Sequence, residues 1–271
     1  MANFFKIFLL IVLVLMHAQP SAALEITGTW QQGAVIIGKV EQGTQVEYNK
    51  RRLSLTDDGQ FVIGLGRDAA AQATITTITK GKAEEHHFAV QKREYKIQRV
   101  EGVPQETVEP NPEQDARIKR EAELVSSARK VDLPFNFFAQ KFQWPLIGPI
   151  SGVYGSQRVY NGIPKTPHYG LDIAMPVGTL VKAPAGGKVT LVHPDMFLSG
   201  GTLIIDHGHG LSSTFIHLSK ILVKEGDQIS QGQEIALVGK TGRASGPHLH
   251  WAMNWFEERV DPELMVQNIG K

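Results

Sequence analysis

Gly246-Pro247-His248-Leu249-His250-Trp251-Ala252-Met253 is the stretch on which the reading of this chain turns. Its second half is apolar and aromatic, a composition that favours a strand, and along a strand alternate side chains leave from the same face. His248 and His250 therefore point the same way. Farther back, Pro167-His168-Tyr169-Gly170-Leu171-Asp172 sets an imidazole and a carboxylate an even number of residues apart. If both stretches are strands, four polar groups converge on one patch. Neutral imidazole and carboxylate suit a borderline divalent ion such as zinc, so the constellation predicts a metal site.

The other histidines carry weaker signals. His207-Gly208-His209-Gly210 ends an apolar strand and holds two glycines, so it reads as a turn whose imidazoles satisfy backbone groups. His86 and His87 are adjacent, which on a strand sends the rings to opposite faces and makes them a solvated surface pair. His217 sits among apolar neighbours in Phe215-Ile216-His217-Leu218. Taken alone, it favours a core hydrogen bond. A catalytic zinc site usually takes three protein ligands and leaves one position to water, whose pKa falls to about 7 on the metal. His168, Asp172 and one member of the C-terminal pair supply that set.

The chain has 271 residues, room for two ordinary domains, and its apolar share of 42% is enough to bury a core. Lys and Arg number 28 against 27 Asp and Glu, so there is no basic surplus for a nucleic-acid backbone, and nucleic acid is excluded as a partner. At the N-terminus, Lys6 precedes an unbroken apolar run from Ile7 to Met16, and Ser21-Ala22-Ala23 offers a signal-peptidase site. The run is short for a bilayer and charge returns at Glu25, so residues 1–23 are expected to be a cleaved signal peptide, with an uncleaved anchor as the alternative. Export to the periplasm follows, with no membrane span after signal cleavage. The chain has no cysteine, so no disulfide braces it and transition-metal ligands fall to His, Asp or Glu.

Mainly β architecture is expected on both sides of a helical linker. Residues 24–100 hold short runs such as Ala34–Val40, Thr44–Tyr48, Phe61–Gly64 and Ala73–Ile78 between turn residues, the pattern of a small N-terminal β-sandwich domain. Residues 101–141 form the linker: Glu101–Pro110 lacks periodicity, then Asn111-Pro112 supplies an N-cap and first turn, with Glu113 and Asp115 at the positive end of the helix dipole. That helix, with Ile118, Leu124 and Val125 on its apolar side, should lie on another element. Residues 142–271 return to glycine-punctuated strands with no long helix, a compact antiparallel β domain.

Together, His168 and Asp172 as H-x-x-x-D, His217 within Ser213–Ser219, and His248 and His250 as H-x-H resemble the M23 peptidases, the lysostaphin-like or LytM-type zinc endopeptidases. The resemblance runs from about Trp144 to Pro262 and takes in Ser151–Gly155 and Thr241–Pro247. It implies a LytM-type C-terminal domain in which His168, Asp172 and His250 bind one zinc ion per chain. His217 and His248, by the same resemblance, are the catalytic pair flanking the attacking water and the scissile carbonyl; either imidazole can take either proton role. The implied substrate is peptidoglycan, at peptide cross-links or stem peptides, and the absence of a module for glycine-rich bridges points to D-Ala to diaminopimelate bonds. Trp30–Ala34 and Lys92–Tyr95 are similar to an N-terminal domain that accompanies some proteobacterial members. Through that domain or the linker helix, a regulatory or adaptor protein is the candidate protein partner.

Two other readings compete. Relatives that have lost metal ligands activate cell-wall amidases without hydrolysis, but here every ligand position is filled. Ala183–Val189, Val223–Ile229 and Gly232–Ala236 look like the lipoyl or biotinyl carrier pattern, yet Lys220 and Lys240 lack the flanks of a modified hairpin lysine.

Overall fold

The computed structural model describes residues 24–266; the signal segment expected at 1–23 lies outside the described residues, as do 267–271. Leu249, Trp251, Met253 and Trp255 alternate along the strand Leu249–Trp255 and are at most 3% exposed, so one face of this strand is core. Burying side chains of this size contributes about 1.5–3 kcal/mol each, which fixes the register of the strand and hence the direction of the intervening residues. The strand lies inside an eight-stranded antiparallel sheet. Its spatial order is Gln228–Ile229, Gly187–Met196, Gly200–Gly208, Leu211–Leu218, Leu249–Trp255, Leu171–Ile173 and Ile150–Gly152, with Glu258–Val260 also paired to Leu249–Trp255. The mainly β expectation holds.

The leading residues form two small sheets. Glu25–Thr27, Val35–Lys39 and Gln60–Gly64 make one; Arg51–Arg52, Gln45–Tyr48, Gln72–Thr79 and Lys82–Ala89 make the other. Ile36, Phe61 and Ile63 from the first and Val46 and Ile75 from the second are fully buried in one apolar cluster. The same cluster continues into Trp251, Trp255 and Val260, so the leading and trailing sheets share buried surface. Polar contacts cross there too: Arg93 Nη1 meets Asp261 Oδ2 at 2.8 Å, and His209 Nδ1 donates to the Ser54 carbonyl at 3.0 Å.

The helix Pro112–Arg129 begins as its sequence predicts. Asn111 Oδ1 accepts from the Gln114 N–H at 2.9 Å and Gln114 Oε1 accepts from the Asn111 N–H at 2.8 Å, a complete capping box. Val125 and Ala128 pack on Leu191, Met196 and Ile204 of the large sheet, whereas Leu124 is exposed. The aperiodic segment before it contains a helical turn, Gln105–Val108, that buries Thr107 and Val108. Just ahead of that segment, Ile97–Val100 at the end of the leading region pairs in parallel with Gln157–Tyr160. No helix among the described residues is long and apolar enough to cross a membrane.

Asp206, on the buried strand Gly200–Gly208, gives the fold a pH dependence. Burial lifts its carboxyl from 3.8 to about 7, the Gly208 N–H on Oδ1 opposing, and Oδ2 has no partner. Between those two values the folded chain binds more protons than the unfolded one, so stability falls as pH rises through that window. Asp206→Asn keeps the acceptor and removes the charge. It should raise the unfolding free energy, read from urea titration at about pH 8, by on the order of 2 kcal/mol, with little change near pH 4. An equal change at both pH values would show that Asp206 is not the titrating group.

Candidate metal centre and active site

The antiparallel register sets Asp172 directly opposite His250 on neighbouring strands. His250 Nδ1 lies 2.8 Å from Asp172 Oδ1. His168 stands just before the strand Leu171–Ile173 rather than on it, a departure from the strand expected there. Its position is set by the backbone: its N–H donates to Ser156 O at 2.8 Å and its carbonyl accepts from Gly155 N at 2.7 Å. From there Nε2 reaches Asp172 Oδ1 at 3.0 Å and His250 Nδ1 at 2.9 Å. Gly170 permits this close approach, because a Cβ there would meet Trp251 O and the His250 ring.

Three acceptor-capable atoms thus share one small triangle. The Val153 carbonyl, 3.0 Å from His168 Nδ1, can only accept, so Nδ1 carries the proton and Nε2 turns its lone pair to the cluster. Burial, only partly offset by Asp172, lowers the His250 pKa to about 4, so this imidazole is neutral at neutral pH. For Asp172, burial pushes the carboxyl up, but the imidazoles of His168 and His250 outweigh it and hold it well below the usual carboxylate range. An ionised carboxylate set between two imidazole nitrogens is a donor set fitted to a divalent cation. His168, Asp172 and His250 could hold one metal ion.

His248 and His217 stand beside this triangle. Leu249–Trp255 begins one residue after His248, and the i, i+2 spacing puts its ring on the side of His250, with Nε2 3.7 Å from Asp172 Oδ1. The His217 ring lies 4.7 Å from that of His248 and 6.3 Å from that of His250, centroid to centroid. Its backbone is unusual for a non-glycine residue, with φ of 64°, where the pairing register between Gly200–Gly208 and Leu211–Leu218 shifts. Such an irregularity re-aims a side chain that plain alternation would leave in the core. Burial first, and then the neighbouring His248 and His250, lower its pKa to about 3. Backbone carbonyls orient both rings: Thr241 O accepts from His217 Nδ1 and Gly246 O from His248 Nδ1, each at 2.8 Å. Nε2 of each ring is left as an acceptor.

All five residues singled out in the sequence therefore line one cleft of about 230 Å³. His207 does not join them; its ring bonds Gly186 O and Ser213 Oγ, and burial keeps it neutral with a pKa of about 4. His209 likewise takes a structural place. Sequence reasoning missed Arg158, whose Nη2 meets Asp172 Oδ2 at 2.7 Å in a buried ion pair. The sole signal was indirect: a buried carboxylate requires a cation, but any of many would serve. Gly152 belongs to the same support, since a Cβ there would strike Asp172 Oδ2 and Arg158 Nη2. Arg243, Arg259, Tyr160 and Tyr169 of the cleft wall were also not singled out.

Fold and site together define a β protein with a His-Asp-His cluster that could hold a metal ion and two further imidazoles in an open cleft. Residues 166–262, which contain all five, match the model of Peptidase family M23. A crystal structure of an M23 peptidase from Pseudomonas aeruginosa aligns with a TM-score of 0.67 and 30% identity, covering 88% of this chain and 96% of that one. The chain belongs to peptidase family M23. Among curated proteins it is similar to the peptidoglycan DD-endopeptidases ShyA and ShyB of Vibrio cholerae, with 46% identity over 89 residues and 45% over 95. Those matches cover 32% and 35% of this chain but 20% and 22% of the relatives, so the chain spans about a fifth of their length.

Proposed function

We propose that this chain is an exported, zinc-dependent endopeptidase that hydrolyses peptide cross-links or stem peptides of bacterial peptidoglycan, at D-Ala to diaminopimelate bonds. The observation that carries the reading is the convergence of His168 Nε2, Asp172 Oδ1 and His250 Nδ1 within 3.0 Å beside two imidazoles. The family supports a peptidase, and the names of the two Vibrio relatives support this substrate and bond. The apolar run Ile7–Met16 followed by Ser21-Ala22-Ala23 supports export to the periplasm.

Zinc held by His168, Asp172 and His250 supplies Lewis acidity to the scissile carbonyl and acidity to water. The remaining chemistry belongs to the chain. His217 and His248 present Nε2 as acceptors because each has committed Nδ1–H to a carbonyl. One of them removes a proton from the attacking water, and a protonated neighbour can stabilise the oxyanion or return the proton to the leaving amine. Arg158 occupies Asp172 Oδ2, so that Oδ1 alone faces the two imidazoles.

Incubation of purified sacculi with the protein tests this reading. Mass spectrometry of the released fragments should show new D-Ala carboxyl ends and free diaminopimelate amines, lost on chelation and restored by zinc. Sacculi that stay intact with zinc present, while an added cell-wall amidase is stimulated, would replace the enzyme with a non-hydrolytic activator.

A further inference from the structure

Three guanidiniums line the metal cleft, those of Arg158, Arg243 and Arg259, against one carboxylate, that of Asp172. Arg158 takes that carboxylate. Among the described residues no acidic group lies within ion-pair distance of Arg243 or Arg259, although Glu257 acts on Arg259 from farther away. The cleft is therefore left with unneutralised positive charge on its wall.

Arg243 is the better placed of the two. It lies on the loop between Thr241, whose carbonyl orients His217, and Gly246, whose carbonyl orients His248. Its own N–H donates to Leu198 O at 2.7 Å, which ties this loop to another wall of the cleft. The guanidinium stacks 4.9 Å from the Tyr160 ring, and Nη1 donates to Thr107 O at 3.1 Å. Its other N–H groups have no partner among the described residues. A planar, pre-positioned fork of this kind matches the two oxygens of a carboxylate. Burial and the neighbouring Arg158 both work against its charge, so an anion beside it would be favoured.

We infer that Arg243 is a specificity-determining residue that binds a free carboxylate of the substrate next to the scissile bond. This rests on the peptidase reading and narrows its substrate class. In a D-Ala to diaminopimelate bond, the carbon attached to the scissile nitrogen carries such a carboxylate, and it leaves with the amine. Arg243 would hold that group while His217 and His248 act on the adjoining carbonyl and nitrogen.

The test uses two cross-linked peptides that differ only in whether this group is a carboxylate or a carboxamide. The wild-type protein should favour the carboxylate by about tenfold or more in kcat/KM, mainly through KM, as a charge-assisted hydrogen bond provides. In Arg243→Gln that ratio should fall to near one, and Arg243→Lys should restore part of it. A structural role for Arg243 would slow both substrates equally and leave the ratio unchanged. Calorimetry of the corresponding amine products, free carboxylate against carboxamide, reads the same preference without turnover. If neither cross-linked peptide is cleaved while the product preference depends on Arg243, the peptidase reading fails and this site stands. Equal handling of acid and amide by the wild type, or a preference that survives Arg243→Gln and vanishes in Arg259→Gln, would overturn the assignment.

Discussion

His250→Ala is expected to abolish sacculus hydrolysis and to strip the protein of its bound metal while leaving it folded. The imidazole contributes the Nδ1 that closes the triangle with His168 Nε2 and Asp172 Oδ1. Without it, two protein donors remain, fewer than the three on which a catalytic zinc site is built. The activity loss should exceed the roughly 10- to 100-fold that follows from altering an outer partner of a metal site. The fold should survive because the strand is anchored through Leu249, Trp251 and Met253 on its other face. Elemental analysis of the dialysed protein should find metal near one ion per chain in the wild type and far below that in the variant. His248→Ala separates the roles: it should retain the metal and still lose activity, because its Nε2 stands 3.7 Å from Asp172 Oδ1, outside the triangle. Full metal content and full activity in His250→Ala would exclude this residue as a ligand.

The strand bearing His250, with His248 just before it, is the part of the site most legible in the sequence. An apolar alternation from Leu249 to Trp255 fixes which face is core, and two histidines at a spacing of two must then share the other side. The Asn111 cap and the helix after it are legible for the same reason, because they depend on neighbouring residues alone. His217 is not. Its direction depends on a register shift and a positive φ, and the residues around it read as plain strand. The strand Ile97–Val100 was hidden in a different way, since its partner Gln157–Tyr160 is remote in sequence and adds nothing to local periodicity. Arg158 lies on that partner strand, so the residue that steadies Asp172 became visible only with the long-range pairing. Local pattern thus shows the candidate donors, whereas what orients them is set by contacts between distant segments.

Arg158→Met should destabilise the metal-free protein by about 3–5 kcal/mol, the usual consequence of removing one partner from a buried ion pair. Nη2 and Asp172 Oδ2 meet at 2.7 Å, and both side chains are nearly excluded from solvent, at 7% and 11% exposure. Methionine fills much of the space but leaves the carboxylate with one oxygen unpaired. A bound divalent ion offsets part of that uncompensated negative charge, so the loss should be smaller in the zinc-loaded protein. By linkage, adding zinc should then raise the melting temperature of Arg158→Met by more than it raises that of the wild type. Activity with zinc bound should still fall by roughly 10- to 100-fold, because Asp172 is free to turn its other oxygen toward the cluster. Arg158→Lys keeps the charge but not the planar fork, and should lie between the two. Parallel melting curves with and without zinc decide the matter. An Arg158→Met protein that is as stable as the wild type without metal, or that gains less from zinc, would show that Asp172 is compensated by its imidazole neighbours and not by Arg158.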